Sequence, residues 1–244
     1  MSEWWQGIKE DFVINFINDD RWMLLVSGLA NTLKITVVAL LIGVVLGSLV
    51  AMIRSTYDKN GSDMKKRNKA GYVVLWIFNL IGKIYLTVIR GTPMVVQLMI
   101  MYFIIFASSQ NGLMVAMLAF GINSGAYVAE IIRGGIMSID EGQFEAGRSL
   151  GFNYPQTMMY IIVPQVFKVV LPTLCNEFIV LLKETSVAGY IGIRDLTKGG
   201  DLIRAATYSP FMPLFTVALV YLVMVVILTA LLGKLERRLR QDER

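Results

Sequence analysis

The sequence predicts an all-α integral membrane protein with about five transmembrane helices. Long runs without charge carry that prediction. Thr92–Ala107, Leu113–Val128 and Phe211–Gly233 contain no Asp, Glu, Lys or Arg, and Leu33–Ile53 contains only Lys34. A spanning helix needs about 20 mostly apolar residues. The runs are continuous rather than alternating, so helices fit and a membrane β-barrel does not. Total composition, 55% hydrophobic with a mean hydropathy of +0.60, lies near that of soluble domains, so the distribution decides and not the sum. The Lys and Arg residues cluster in two segments that flank the spans, as in a multi-pass membrane protein.

In chain order, residues 1–23 form an acidic, amphipathic segment ahead of a first span at 24–53. That span contains Gly43-Val44-Val45-Leu46-Gly47. This G-x-x-x-G pattern permits close helix approach in lipid, or is simply a pair of ordinary membrane-helix glycines. Segment 72–90 is very apolar over Tyr72–Phe78, but Asn79, Gly82, Lys83 and Arg90 interrupt it. It reads as an amphipathic elbow that enters the membrane near Arg90 and Gly91, or as the first half of a long, tilted second helix. Further spans follow at 92–109, 113–133, 160–182 and 211–233. A polar, glycine-punctuated loop at 134–159 and a basic tail at 234–244 complete the membrane domain 24–233 and its flanks.

Orientation follows from basic residues, which favour the cytoplasmic side. Residues 54–70 carry Arg54, Lys59, Lys65, Lys66, Arg67 and Lys69, and the tail carries Lys234, Arg237, Arg238, Arg240 and Arg244. Residues 1–23 carry two basic and five acidic residues. The N-terminus is therefore expected outside, and the C-terminus and the 134–159 loop in the cytoplasm. The net charge of +5 reflects this asymmetry. It does not point to nucleic acid, because the basic residues flank spans and lack interleaved aromatics. No cleavable signal peptide is expected, since no basic stretch precedes an early apolar one.

Several chemistries are excluded. The chain has no His and a single Cys, Cys175 in an apolar span. His-based zinc sites and His general bases are absent, as is an internal disulfide framework. No metal site and no catalytic residue is expected. No G-x-x-x-x-G-K-[ST] occurs, so this chain has no phosphate-binding loop of its own.

The loop carries the most informative segment, Glu145-Ala146-Gly147-Arg148-Ser149-Leu150-Gly151, with Ile161-Ile162-Val163-Pro164 beyond it. Asp140, Glu141 and Glu145 suit the start of a short helix, where the dipole favours acids. Gly151 suits its left-handed stop, and Asn153-Tyr154-Pro155 suits the start of the next element. A membrane protein that hydrolyses no ATP needs a contact through which a soluble motor can act, and a short cytoplasmic helix could supply it; a plain hairpin is the alternative. The segment resembles the EAA loop, here about 137–157, of permease subunits of bacterial ABC importers. In that family Glu-Ala-Ala is followed by a glycine six residues after the Glu, as Gly151 follows Glu145, and by Ile-x-Leu-Pro, as Pro164 follows at nineteen. Gly147 replaces the second Ala and Val163 replaces the Leu.

Three more motifs occur: Arg90-Gly91-Thr92-Pro93 with Gln97 beyond, Asn123-Ser124-Gly125-Ala126-Tyr127 running on to Glu130 and Arg133, and Leu182-Lys183-Glu184-Thr185-Ser186. With the EAA loop they resemble, from about residue 27 to 235, permeases of the polar and basic amino acid branch that serves histidine, arginine and glutamine. The resemblance implies a type I importer half-channel in a bacterial inner membrane, working by ATP-driven alternating access. It implies a second permease copy, identical or homologous, and cytoplasmic ATPase subunits that hold ATP and magnesium. It also implies an extracellular solute-binding protein and an amino acid substrate.

Polar groups inside spans face a cavity or a partner helix. Thr92, beside Gly91 and Pro93, reads as a polar helix break or as a simple helix start. Gln97 reads as a ligand contact or an interhelical hydrogen bond. Asn123, Ser124, Tyr127 and Glu184 complete the candidate substrate-binding set with Glu177. Glu130 and Arg133, three apart on one helix, read as structural or gating. Glu177 lies deep in the fourth span, where a carboxylate requires a cation, a hydrogen-bond network or water. The cation is either a substrate ammonium or guanidinium, or a side chain of another helix or of the partner permease. An amide often replaces this acid in relatives with neutral substrates, so the resemblance leans toward a basic amino acid. Another polar solute, such as glutamine or cystine, is the alternative within this architecture. A secondary transporter would bring its own ion-coupling carboxylates and usually a helix repeat, and no internal repeat is seen. A membrane scaffold without transport would not need the intramembrane polar groups.

Overall fold

A computed structural model describes residues 2–241, with side chains for 5–234. The described residues are helical from end to end apart from short turns. The helices are α1 (Ser2–Phe12), α2 (Trp22–Arg67), α3 (Lys69–Gly91), α4 (Met94–Ile100), α5 (Gly112–Ser138), α6 (Glu141–Ser149), α7 (Tyr154–Thr157), α8 (Val163–Glu184), α9 (Leu196–Thr207) and α10 (Phe211–Gln241). Five stretches are long and apolar enough to cross a membrane: Trp22–Arg67, Lys69–Gly91, Gly112–Ser138, Tyr154–Ile191 and Phe211–Lys234.

The number of spans matches the expectation, but one of them is a different segment. Residues 69–91 form one unbroken helix of 23 residues, about 35 Å long at 1.5 Å per residue. The expected elbow at 72–90 is therefore long enough to span. The expected span at 92–109 contains only the short apolar helix Met94–Ile105, about 18 Å long and too short for a core of about 30 Å. The physical reason lies in the residues that seemed to interrupt the apolar run. Asn79 and Gly82 are buried, and a Cβ at Gly82 would sit 3.5 Å from Val50. Gly82 packs on α2, and Asn79 is buried rather than turned to the membrane surface. The helix ends where Pro93 forces its predecessor into extended backbone: Thr92 has φ −123° and ψ 146°.

The described residues divide into two compact units, one of residues 40–93, 121–178 and 234–241, the other of 2–39, 94–120 and 179–233. In the first, α2 and α5 approach closely. A Cβ on Gly43 would lie 2.9 Å from Ser124 Oγ, and one on Gly47 would lie 2.7 Å from Val128 Cβ. The G-x-x-x-G pattern thus serves an approach within this chain. Leu86, Ala126 and Ala129 form the adjoining apolar cluster. A second cluster, of Ile136, Phe144, Ile162, Val166 and Val170, fixes α6 to α5 and α8.

In the other unit, Asp195 caps α9. Its carboxylate accepts from Thr197 N at 3.0 Å and Lys198 N at 3.1 Å. The Asp195 carbonyl lies so close to Gly28 that a Cβ there would meet it at 2.5 Å. Leu196 N donates to Thr32 Oγ1 at 3.1 Å, and Asn31 Nδ2 donates to the Arg194 carbonyl at 2.9 Å. The start of α2 is pinned to α9 by these contacts. α10 continues the fifth span to Gln241; the side chains of the basic tail beyond Lys234 lie outside the described ones.

Candidate coupling helix and substrate site

The segment around Glu145 folds as its local signals require. Asp140 accepts from Gly142 N at 2.7 Å, capping α6 at its N-terminus. Gly151 closes the far end with φ +81°, a conformation that costs a glycine nothing. Its N–H donates to the Arg148 carbonyl, and Phe152 N reaches back to Gly147 O at 3.0 Å, satisfying carbonyls that a helix end leaves orphaned. Asn153 and Gln156 then form a reciprocal capping box at the start of α7.

α6 has two faces. Phe144 and Gly147 are buried, whereas Glu145, Ala146, Arg148 and Leu150 are exposed. Leu150 is 71% exposed, a large apolar side chain on a polar helix that motif spacing alone did not single out. The departure at Gly147 has a structural cause. A Cβ there would lie 2.6 Å from Thr157 Cγ2 and 2.7 Å from its Oγ1, so α7 packs directly on the backbone of α6. A cleft of about 610 Å³ opens beside α6, with Lys59, Arg67, Glu145, Arg148 and Tyr154 among its walls.

The candidate substrate residues fall into both units. Glu177 is 9% exposed and Ser124 fully buried. Ser124 Oγ donates to Glu177 Oε1 at 3.1 Å across 53 residues of chain. Asn123, beside Ser124 on α5, is also buried. Ser124 and Glu177 thus pair between two otherwise apolar spans, with Asn123 adjoining Ser124 in the chain. Tyr127 lies one turn further along α5 and is partly exposed, with the Arg90 guanidinium 5.6 Å from its ring centre. Thr92 is exposed, and its hydroxyl turns back onto the Val88 carbonyl at 2.8 Å. That is the behaviour of a helix-end threonine. Gln97 on α4 and Glu184 at the end of α8 are partly buried and belong to the other unit. Among the described residues no cluster suited to a metal ion occurs.

Glu130 is the centre of a charge network. It meets Arg54 at 3.0 Å, Arg133 at 3.4 Å and Arg90 at 3.6 Å, and Arg133 also meets Asp58 at 3.6 Å. The Glu130–Arg133 pair expected from spacing is present, embedded in a network that ties α2, α3 and α5 together. A charge in such surroundings is held by several partners rather than offered to a ligand.

The model of the family described as binding-protein-dependent transport system inner membrane component matches residues 67–241. The chain belongs to this family. It is therefore a membrane-embedded transport component. It is 37% identical over 223 residues to the arginine transport system permease protein ArtQ of Bacillus subtilis strain 168, covering 90% of this chain and 94% of that one. It is 36% identical over 222 residues to the glutamine transport system permease protein GlnP of Escherichia coli K12, covering 89% and 93%. A crystal structure of an amino acid ABC transporter with histidines matches with a TM-score of 0.77 and 39% identity, over 91% of this chain and 98% of that one.

Proposed function

We propose that this transport component is the permease subunit of an ABC importer for amino acids, with basic side chains preferred. The observation that carries the substrate reading is the buried carboxylate of Glu177, oriented by the Ser124 hydroxyl beside Asn123. A carboxylate fixed inside an apolar span suits a guanidinium or ammonium more than a neutral amide. The arginine and glutamine permeases among its relatives bracket the substrate range.

The motor is external to the chain. Cytoplasmic ATPases hold ATP and magnesium and dock on the exposed face of α6, with Glu145, Ala146, Arg148 and Leu150 in contact and Gly147 and Gly151 shaping the helix. A solute-binding protein delivers substrate from the opposite side, and a second permease copy, identical or homologous, completes the channel. Residues 1–23 lie outside and 234–244 lie in the cytoplasm, as the charge asymmetry indicates. Alternating access follows from linkage. ATP and the loaded binding protein favour the same state of the assembly, so each raises the affinity for the other.

The test is Glu177→Gln, assayed as uptake by the complete transporter in proteoliposomes. It keeps shape and hydrogen bonding and removes the charge. Loss of one partner of a buried charge pair costs about 2–5 kcal/mol, so arginine and lysine uptake should fall by well over about tenfold while glutamine uptake changes far less. Unchanged uptake of basic amino acids in a folded variant refutes the assignment of Glu177.

A further inference from the structure

We propose that the polar extension of α2, residues 54–67, is a brace for the coupling helix, and that Lys59 is the positioning residue that locks the two together. The inference rests on α6 being the motor contact.

α2 has 46 residues, about 69 Å of helix against a bilayer core of about 30 Å. Its apolar character ends near Arg54. The extension beyond contains Ser55, Thr56, Asn60, Gly61 and Ser62, poor helix formers that do not hold a helix by themselves. Tertiary contacts must hold it, and three ion pairs do. Arg54 pairs with Glu130 and Asp58 with Arg133, both on α5, and Lys59 pairs with Glu141 on α6 at 3.0 Å. Arg54 and Asp58 are one turn apart and present the same face to α5. Lys59 follows Asp58 directly and points to α6.

Lys59 differs from an ordinary surface partner. Its side chain is only 13% exposed although Glu141 is 83% exposed, and its ammonium lies 5.1 Å from the ring centre of Phe144. Phe144 is the buried residue that anchors α6 in the apolar cluster with Ile136, Ile162 and Val166. Lys59 therefore grips α6 twice, by charge at its first turn and by a cation–π contact at its anchor. The exposed pair alone would be worth little; the packed stem and the ring contact add what the surface pair lacks. A movement of α6 then carries the end of α2 with it, and α2 brings Gly43 and Gly47, which pack on α5 at Ser124 and Val128. The first span moves with the motor contact instead of sliding past it.

The experiment uses the complete transporter with its ATPase and binding protein in proteoliposomes, and reads substrate taken up per ATP hydrolysed. Lys59→Glu repels Glu141 and removes the ring contact. The ratio should fall about fivefold, the shift expected from losing one partly buried pair. The exchange Lys59→Glu with Glu141→Lys rebuilds the ion pair but not the ring contact with Phe144, so it should recover only part of the lost ratio. A covalent lock gives an independent reading, and guards against misfolding of the charge reversal. In a Cys175→Ser background, Lys59→Cys with Glu141→Cys should couple poorly until a short bis-maleimide joins the two, and well afterwards. Loss of uptake on joining would mean that α2 and α6 separate during the cycle, which overturns the brace. A wild-type ratio in Lys59→Glu while Gly151→Pro lowers it also overturns the brace and leaves the coupling role of α6 standing. Wild-type ratios in both variants remove that role, and the brace with it.

Discussion

Gly147→Ala is the smallest change that tests how α6 is seated. The added methyl would lie 2.6 Å from Thr157 Cγ2, 2.7 Å from Oγ1 and 3.1 Å from Cβ. Ordinary carbon contacts lie near 3.5–4.0 Å, so one partner must retreat by about 1 Å. Thr157 cannot retreat by rotation. It is buried, stiff at its branched Cβ, and held by a hydroxyl donation to the Asn153 carbonyl at 3.1 Å. Overpacking of this kind costs about 1–3 kcal/mol, and the gain from replacing a helical glycine by alanine returns up to about 1 kcal/mol. The net loss is about 0–2 kcal/mol, too variable to interpret alone. A double-mutant cycle isolates the clash. Thr157→Ala costs about 1–2 kcal/mol for a methyl and a hydrogen bond, but leaves the new methyl only the 3.1 Å contact with Cβ. The pair should therefore be more stable than the sum of the two single changes by about 1–3 kcal/mol. Denaturant titration of the purified permease in mixed micelles gives the four values. Uptake per ATP should follow the same order, low for Gly147→Ala and recovered in the pair. Additivity within about 0.5 kcal/mol would refute direct packing of Thr157 on the α6 backbone.

Two further outcomes follow from the other unit. Gly28→Ala sets a Cβ 2.5 Å from the Asp195 carbonyl oxygen, where backbone cannot yield. It should lower the thermal stability of the purified permease, whereas Gly134→Ala, whose Cβ meets nothing within 4 Å, should leave it equal or raise it by up to about 1 kcal/mol. Burial pushes the Asp195 carboxyl above its ordinary value, against the backbone donors that favour its charge. The stability tied to its neutral form is present at low pH and is lost as pH rises through the folded value. Asp195→Asn keeps a capping oxygen without the charge. Its melting temperature relative to wild type should rise between pH 4 and pH 7, and a flat difference would contradict the shift.

What the sequence made legible was local. α6 and its borders follow from Asp140, Gly151 and Asn153, each acting within a few residues of itself, and the observed caps are those the residue types favour. The second span stayed open between an elbow and a longer helix because periodicity records that Asn79 and Gly82 interrupt an apolar run, and cannot say whether they meet water or a neighbouring helix. Gly82 meets α2, and Asn79 is buried. Lys59 was hidden for a related reason. In a basic loop it counts as one more topology charge, and its partner Glu141 is 82 residues away. Glu177 was singled out by the cost of a carboxylate in a span and Ser124 by the motif it belongs to, but only the folded chain puts them in contact.

The glycines of α2 connect these readings. In isolation Gly43 and Gly47 fit a contact with a second permease as well as any other, because the pattern specifies closeness and not the partner. Their neighbours settle the matter: Ser124 Oγ lies against Gly43, and Val128 with the Gly125 carbonyl lies against Gly47. A side chain at position 43 would displace the very hydroxyl that donates to Glu177. The close approach of α2 is thus a condition for the geometry of the buried carboxylate, and the same helix, carried on as an extension, reaches Glu141 on α6. If Glu177 meets the substrate and α6 meets the motor, as proposed, both contacts bear on the same helix, α2. Rigidity matters here because the packed α2–α5 surface has no room to deform gradually. A displacement at one end must appear at the other as movement of the whole helix or not at all.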